Sequence, residues 1–165
     1  MLSKTMINKL NDQINLENYS SNIYLQMSAW AEIKGLDGSA EFLRQQASEE
    51  LDHMHRLFKY VYETGSLPVL GAIKAPPTEF KSIGDLFKQV LAHEKLVTGK
   101  INDLMDSAIQ EKDHSTVNFL QWYVAEQHEE EHTIQQVLDK IHNIGESGSG
   151  VHFIDRAVAG MVHQR

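Results

Sequence analysis

Residues 39–65 read SAEFLRQQASEELDHMHRLFKYVYETG. Wound at 100° per residue, Leu43, Ala47, Met54, Leu57 and Val61 fall on one stripe, the three-and-four spacing of a helix that buries one face. Gly65 stands where a helix commonly ends. Two polar residues interrupt the stripe: Glu50 and His53 lie within roughly 60° of its centre. A carboxylate and an imidazole on a buried face cost free energy unless something compensates them. This stretch therefore predicts a bundle helix and something held inside the bundle.

The same pattern extends in both directions. Residues 4–34 run without a breaker to Gly35-Leu-Asp-Gly38, with Met6, Leu10, Ile14, Tyr24 and Ala31 on one stripe. Ser82 with Asp85 three residues on resembles a capping box, and the helix it opens runs to about Glu111. Its stripe is Ile83, Phe87, Val90, Leu91, Val97, Ile101 and Met105. After a polar turn, Lys112-Asp-His-Ser115, a fourth helix runs to about Ile144 on Leu120, Tyr123, Val124, Ile134, Leu138 and Ile141. All three prolines (Pro68, Pro76, Pro77) lie in residues 66–81, which read as one extended connection. Gly145-Glu-Ser-Gly-Ser-Gly150 is a linker to a short fifth helix, about 151–162. Strand-like alternation is absent. The expectation is an all-α four-helix bundle with a long crossover between its second and third helices, running up, up, down, down by pairs. Residues 1–165 form a single domain in this reading.

Composition narrows the chemistry. Fifteen Lys and Arg against 23 Asp and Glu give a net charge of −8. Such a surface repels nucleic acid and anionic membranes and attracts cations. The chain has no Cys, which excludes a thiolate nucleophile and Cys-based zinc or iron–sulfur sites. No apolar run approaches the length of a membrane span, and the first residues lack the apolar core of a signal peptide; the expected location is the cytoplasm.

The acids on the stripes carry the functional argument. Glu17 and Glu94 fall at the centres of the first and third stripes, and Gln127 and Glu130 lie on the fourth. No Lys or Arg shares their phase in the middle turns, so a cation from solvent is the simplest compensation. Glu17 to Glu50 spans 33 residues, as does Glu94 to Gln127, and a shift of 77 residues superposes Met6 on Ile83, Leu10 on Phe87, Leu43 on Leu120 and Leu57 on Ile134. The two halves repeat, so the polar residues should converge at one level. A single Glu-x-x-His arises often by accident, but four phased helices point to a dinuclear carboxylate site. Four Glu and one His make a hard, oxygen-rich set suited to iron or manganese, with iron the better match.

The residues just quoted, with Glu49-Glu50-Leu51-Asp52-His53 and the run Asn118-Phe-Leu-Gln-Trp-Tyr-Val-Ala-Glu-Gln-His-Glu-Glu-Glu131, resemble the bacterial non-haem ferritins over nearly the whole chain. The resemblance implies that Glu17, Glu50 and His53 bind a first iron, that Glu50 bridges, and that Glu94 and Glu130 hold a second with Gln127 beside them. It implies a third site on Glu49, Glu126, Glu129 and Glu130, and Tyr24 as a one-electron donor or a core Tyr bonding a ligand carboxylate. It further implies ferroxidase activity, Fe²⁺ oxidised by O₂ or H₂O₂, and ferric mineral stored in a shell of twenty-four subunits whose short C-terminal helices line a four-fold axis. The chain departs from bacterioferritins, which carry a second Glu-x-x-His where Gln127-x-x-Glu130 stands here. The frame Glu129-x-x-His132 points away from the core, and Asp52 stands in the neighbourhood of the bacterioferritin haem Met, so the residues do not support a haem and leave the question open. Trp122 reads as packing, and His128, His132, His142, His152 and His163 carry no assigned role.

Two other classes compete. A rubrerythrin-like peroxidase or small oxygenase would share the di-iron site, but the former is expected to carry a Cys-based site that is absent here. A plain helical interaction bundle leaves the buried acids unexplained.

Overall fold

The computed structural model describes residues 2–162; His163 lies outside them. Five helices make up the regular structure of these residues: α1 (Lys4–Ile33), α2 (Asp37–Glu63), α3 (Ile83–Gln110), α4 (His114–Ile144) and α5 (Gly150–Val162). Each long helix opens or closes where local chemistry dictates. Ser3 caps α1 by accepting from the Met6 N–H (3.0 Å), and Asp113 caps α4 by accepting from the Thr116 N–H (3.1 Å). Ser82 accepts from the Asp85 N–H (3.2 Å), while Asp85 reaches back to the Lys81 N–H (3.0 Å), one residue further than a strict capping box. Helix α2 begins at Asp37, two residues before the Ser39 expected from the sequence. Leu36 offers it no side-chain cap, and the missing acceptor comes from α5 instead.

The helix directions follow from cross-helix contacts. Ser20 meets His93 and Lys9 meets Ser107, so α1 and α3 are antiparallel. Gln46 meets Glu130 and Tyr60 meets Thr116, so α2 and α4 are antiparallel. The turns at 34–36 and 111–113 reverse the chain within each pair. The order is therefore up, down, down, up, which corrects the pairwise up, up, down, down of the sequence reading. A three-residue turn cannot carry the chain back along a helix roughly 40 Å long, so the helices it joins must run oppositely. Only the connection 64–82 is long enough to cross the bundle.

The buried face of each helix is the expected one, with one exception: Val124 is 40% exposed, and the α4 stripe passes through Leu120, Tyr123 and Gln127 instead. Leu91, Met105 and Leu138 are half-buried at the stripe margins. The core is divided in two. One apolar cluster, including Tyr24, Leu43, Phe87, Ile134 and Ile154, fills the end covered by α5; the other, including Met6, Leu57, Ile101 and Leu120, fills the opposite end. Between them lies a layer of buried polar side chains.

Candidate metal centre

That layer is built by the middle turns of all four long helices. Glu17 from α1, Glu50 and His53 from α2, Glu94 from α3, and Gln127 and Glu130 from α4 are all buried, none more than 4% exposed. Helical spacing of three puts Glu50 and His53 on one face, and the antiparallel α1–α2 hairpin brings Glu17 beside them. One ligand atom from each of Glu17, Glu50 and His53 lies within 4.8 Å of the others. The Oε2 atoms of Glu17 and Glu50 are buried and accept no hydrogen bond. His53 Nδ1 stands 3.5 Å from Glu50 Oε2.

The remaining acids are held by donors. Glu94 accepts from the Tyr24 hydroxyl and from Gln127 Nε2 (3.1 Å), and Gln127 also reaches Thr98 Oγ1 at 3.4 Å. Glu130 accepts from Gln46 Nε2 at 2.7 Å, and Glu17 Oε1 from Gln13 Nε2 at 2.9 Å. The Tyr123 hydroxyl donates to the His53 carbonyl at 2.7 Å, fixing that turn of α2.

Four carboxylates in one desolvated layer repel one another. Burial first, and the charge of Glu50 second, raise the Glu17 pKa well above the ordinary carboxylate range. Burial and the charge of Glu94 do the same to Glu50. Glu94 is pushed up to about 7, by burial and then by Glu130. A site that holds protons this tightly is one in which a multivalent cation replaces them favourably. Burial and Glu94 also raise the Tyr24 hydroxyl, which stays protonated as a donor.

The residues expected at a third site lie progressively outward. Glu126 is half-buried with Oε1 3.9 Å from His53 Nε2, Glu49 is half-buried and accepts from Gln45 (2.9 Å), and Glu129 is exposed. His132 is exposed as well and pairs with Gln136, so the Glu129-x-x-His132 frame faces solvent. Trp122 packs edge-on to His53 (centroids 5.4 Å) with the Arg56 guanidinium 4.3 Å from its ring centre. Asp52 is exposed and Met54 faces the core.

Sequence reasoning missed the holders of the acids. Gln13 and Gln46 each stand four residues before a site glutamate, on the same helical face, which was the available signal. His93 was also missed. It is largely buried, sits edge-to-face with Tyr19 and Tyr24 (5.9 and 6.0 Å) and bonds Ser20 Oγ (2.7 Å). Burial, with Lys74 nearby, lowers its pKa to about 4, so it is neutral at pH 7.

Comparison with known proteins places this geometry. Residues 7–144 match the family model for the ferritin-like domain. A Haemophilus influenzae protein named "Probable bacterial non-heme ferritin-like protein" is 51% identical over 161 residues, covering 98% of each chain. A bacterial non-heme ferritin of Escherichia coli is 48% identical over 159 residues, 96% of each. The structure of an engineered closed form of the Archaeoglobus fulgidus ferritin superposes with a TM-score of 0.93 at 41% identity, covering 96% of this chain and 97% of that one. No helix among the described residues is long and apolar enough to cross a membrane. With a family model spanning most of its length and relatives near half identity over nearly all of it, the chain belongs to the ferritin family.

Proposed function

We propose that Glu17, Glu50, His53, Glu94 and Glu130 bind two iron ions per chain, Glu50 bridging them and Gln127 lying beside them. The chain is an iron-storage protein with ferroxidase activity, the function of its family. Fe²⁺ is oxidised at this site by O₂ or H₂O₂, and ferric mineral is laid down inside a shell of twenty-four copies in the cytoplasm. Glu49, Glu126, Glu129 and Glu130 form the third site.

One observation carries the reading: two buried carboxylate oxygens, Glu17 Oε2 and Glu50 Oε2, without hydrogen bonds and beside an imidazole. Buried unpaired acids persist where a cation takes their charge. Anionic oxygen ligands favour Fe³⁺ over Fe²⁺, which assists oxidation. The donors to Glu94 and Glu130 fix the far side of the site, while Glu50 Oε2 is free to change its mode of binding as iron arrives and leaves. The Tyr24 hydroxyl, bonded to Glu94, is positioned to supply one electron. The net charge of −8 supports attraction of Fe²⁺ to the particle.

The test is to load the purified, metal-free protein with Fe²⁺ in air, separate it by size exclusion, and count iron per chain. Iron far in excess of the ligand residues' capacity, travelling with a very large particle, is expected. A few ions per chain on a small oligomer would overturn storage and leave the site.

A further inference from the structure

A groove of about 420 Å³ runs along the bundle surface between α1 and α3. Of the grooves and pockets, this one is lined by a side chain bonded directly to a site acid. Gln13 is 97% buried by its 3% exposure, yet lines the groove, and its Nε2 donates to Glu17 Oε1 at 2.9 Å. Among the described residues its Oε1 accepts no hydrogen bond. The Gln13 amide therefore links the groove to Glu17, whose Oε2 accepts no hydrogen bond.

The groove wall indicates what passes. Lys9 and Lys100 offset Asp12 and Asp103, so its formal charge is zero in a chain of net charge −8. Lys9 donates to Ser107 Oγ (2.5 Å) and to the Asp103 backbone carbonyl (3.5 Å), which holds its positive charge on the groove wall. Leu16, Leu96 and Leu104 supply the rest of the lining. Balanced charge with apolar walls does not concentrate a divalent cation, and it raises no charge barrier against a small uncharged molecule.

We propose that this groove is the route by which the small neutral oxidant, O₂ or H₂O₂, reaches the metal centre, with Gln13 as the side chain that opens and closes it. The inference rests on the reading that the cluster oxidises Fe²⁺. In this proposal a rotation of the Gln13 side chain away from Glu17 opens the route, and re-forming the 2.9 Å hydrogen bond closes it.

The test fills the groove from outside the site. Leu96 is 50% exposed and Lys100 is exposed, so Leu96→Trp and, independently, Lys100→Trp put bulk over the groove without disturbing the core. Initial rates of Fe²⁺ oxidation are measured while O₂ is varied, and again without O₂ while H₂O₂ is varied. The apparent KM for the oxidant that uses the route should rise about threefold or more, with kcat and anaerobic Co²⁺ binding unchanged. An unchanged KM for both oxidants in both variants overturns the route while wild-type oxidation upholds the proposed function. A raised KM for Fe²⁺ in Leu96→Trp and Lys100→Trp overturns it too, because the groove would then carry the cation. A wild-type chain that binds Co²⁺ but oxidises no Fe²⁺ overturns the proposed function and the route together.

Discussion

Asp155 on α5 grips Ser39 at the start of α2: one carboxylate oxygen accepts from both the backbone N–H and the hydroxyl of Ser39, each at 2.7 Å, and the other accepts from the Gly38 N–H at 3.0 Å. A helix start leaves N–H groups without intrahelical partners, and α2 has no side-chain cap of its own. The C-terminal helix therefore completes the fold of the second one. The fit is close: a Cβ on Gly38 would lie 2.5 Å from the Asp155 carbonyl and 2.7 Å from the Ala159 Cβ. Asp155→Ala removes the cap and should cost about 1–2 kcal/mol locally. Backbone hydrogen exchange across residues 150–162 and in the first turn of α2 should quicken together. Exchange that is unchanged in both places would mean that α5 is held by its apolar face alone.

The buried acids give the metal-free protein an unusual pH dependence. Glu94 has an ordinary value of 4.5 that is raised to about 7 in the folded state by burial and Glu130. A raised acid binds its proton more tightly in the folded chain, so its contribution to stability is complete below about 4.5 and is lost as pH rises towards 7. The melting temperature of the metal-free protein should fall across that window, and Glu94→Gln should flatten the fall. Adding Co²⁺ should restore stability at pH 7 and above, because the ion takes the place of the proton. Because neutral, buried His93 gains stability over part of the same range, the comparison decides: a wild-type chain that loses no more stability from pH 5 to 7 than Glu94→Gln would contradict the repulsion assigned to this layer.

The helices and the burial of the acids in the candidate centre were legible in the sequence because one periodic rule governs both. Burial follows the 100° winding, and Glu17, Glu50, His53, Glu94, Gln127 and Glu130 were conspicuous as polar residues at buried phases. What was not legible depends on contacts between distant residues. Asp155 as the cap of α2 and Gln46 as the donor to Glu130 each join segments separated by more than 80 residues, and nothing local marks them. Helix direction depended on turn length rather than periodicity, which is where the sequence reading went astray. Val124 lies at the edge of its stripe, where a small rotation of the helix decides between core and solvent.

The turn before α4 contains a strained residue. Helices α1 and α2 end with Gly35 and Gly65 at positive φ (71° and 83°), while α3 ends with Lys112 at φ 56°. Its hydrogen bonds are those of the same cap, with the Asp113 N–H reaching the Ala108 carbonyl at 2.9 Å. A side chain in the left-handed region costs about 1 kcal/mol relative to glycine. Lys112→Gly should therefore raise the unfolding temperature without altering iron oxidation. A lowered unfolding temperature would show that the Lys112 side chain earns its place through contacts outside the turn.

Glu50 separates stability from function most sharply. It is 1% exposed, it carries one of the two bare buried oxygens, and the charge of Glu94 adds to burial in raising its pKa. Glutamine has nearly the same shape as the protonated acid and cannot ionise. By the same sign argument, the wild-type acid is harmless below its ordinary value and destabilising as pH rises towards its folded-state value. In the metal-free state, Glu50→Gln should change stability little at pH 5 and raise it at pH 8, by an amount on the order of 1 kcal/mol or more. The same substitution removes the oxygen proposed to bridge the two irons, so fast Fe²⁺ oxidation should disappear while the helical content is retained, and Glu50→Ala should lose oxidation in the same way. A variant that oxidises Fe²⁺ at the wild-type rate removes Glu50 from the centre, and one that is destabilised at pH 8 shows that its carboxylate was compensated within the chain.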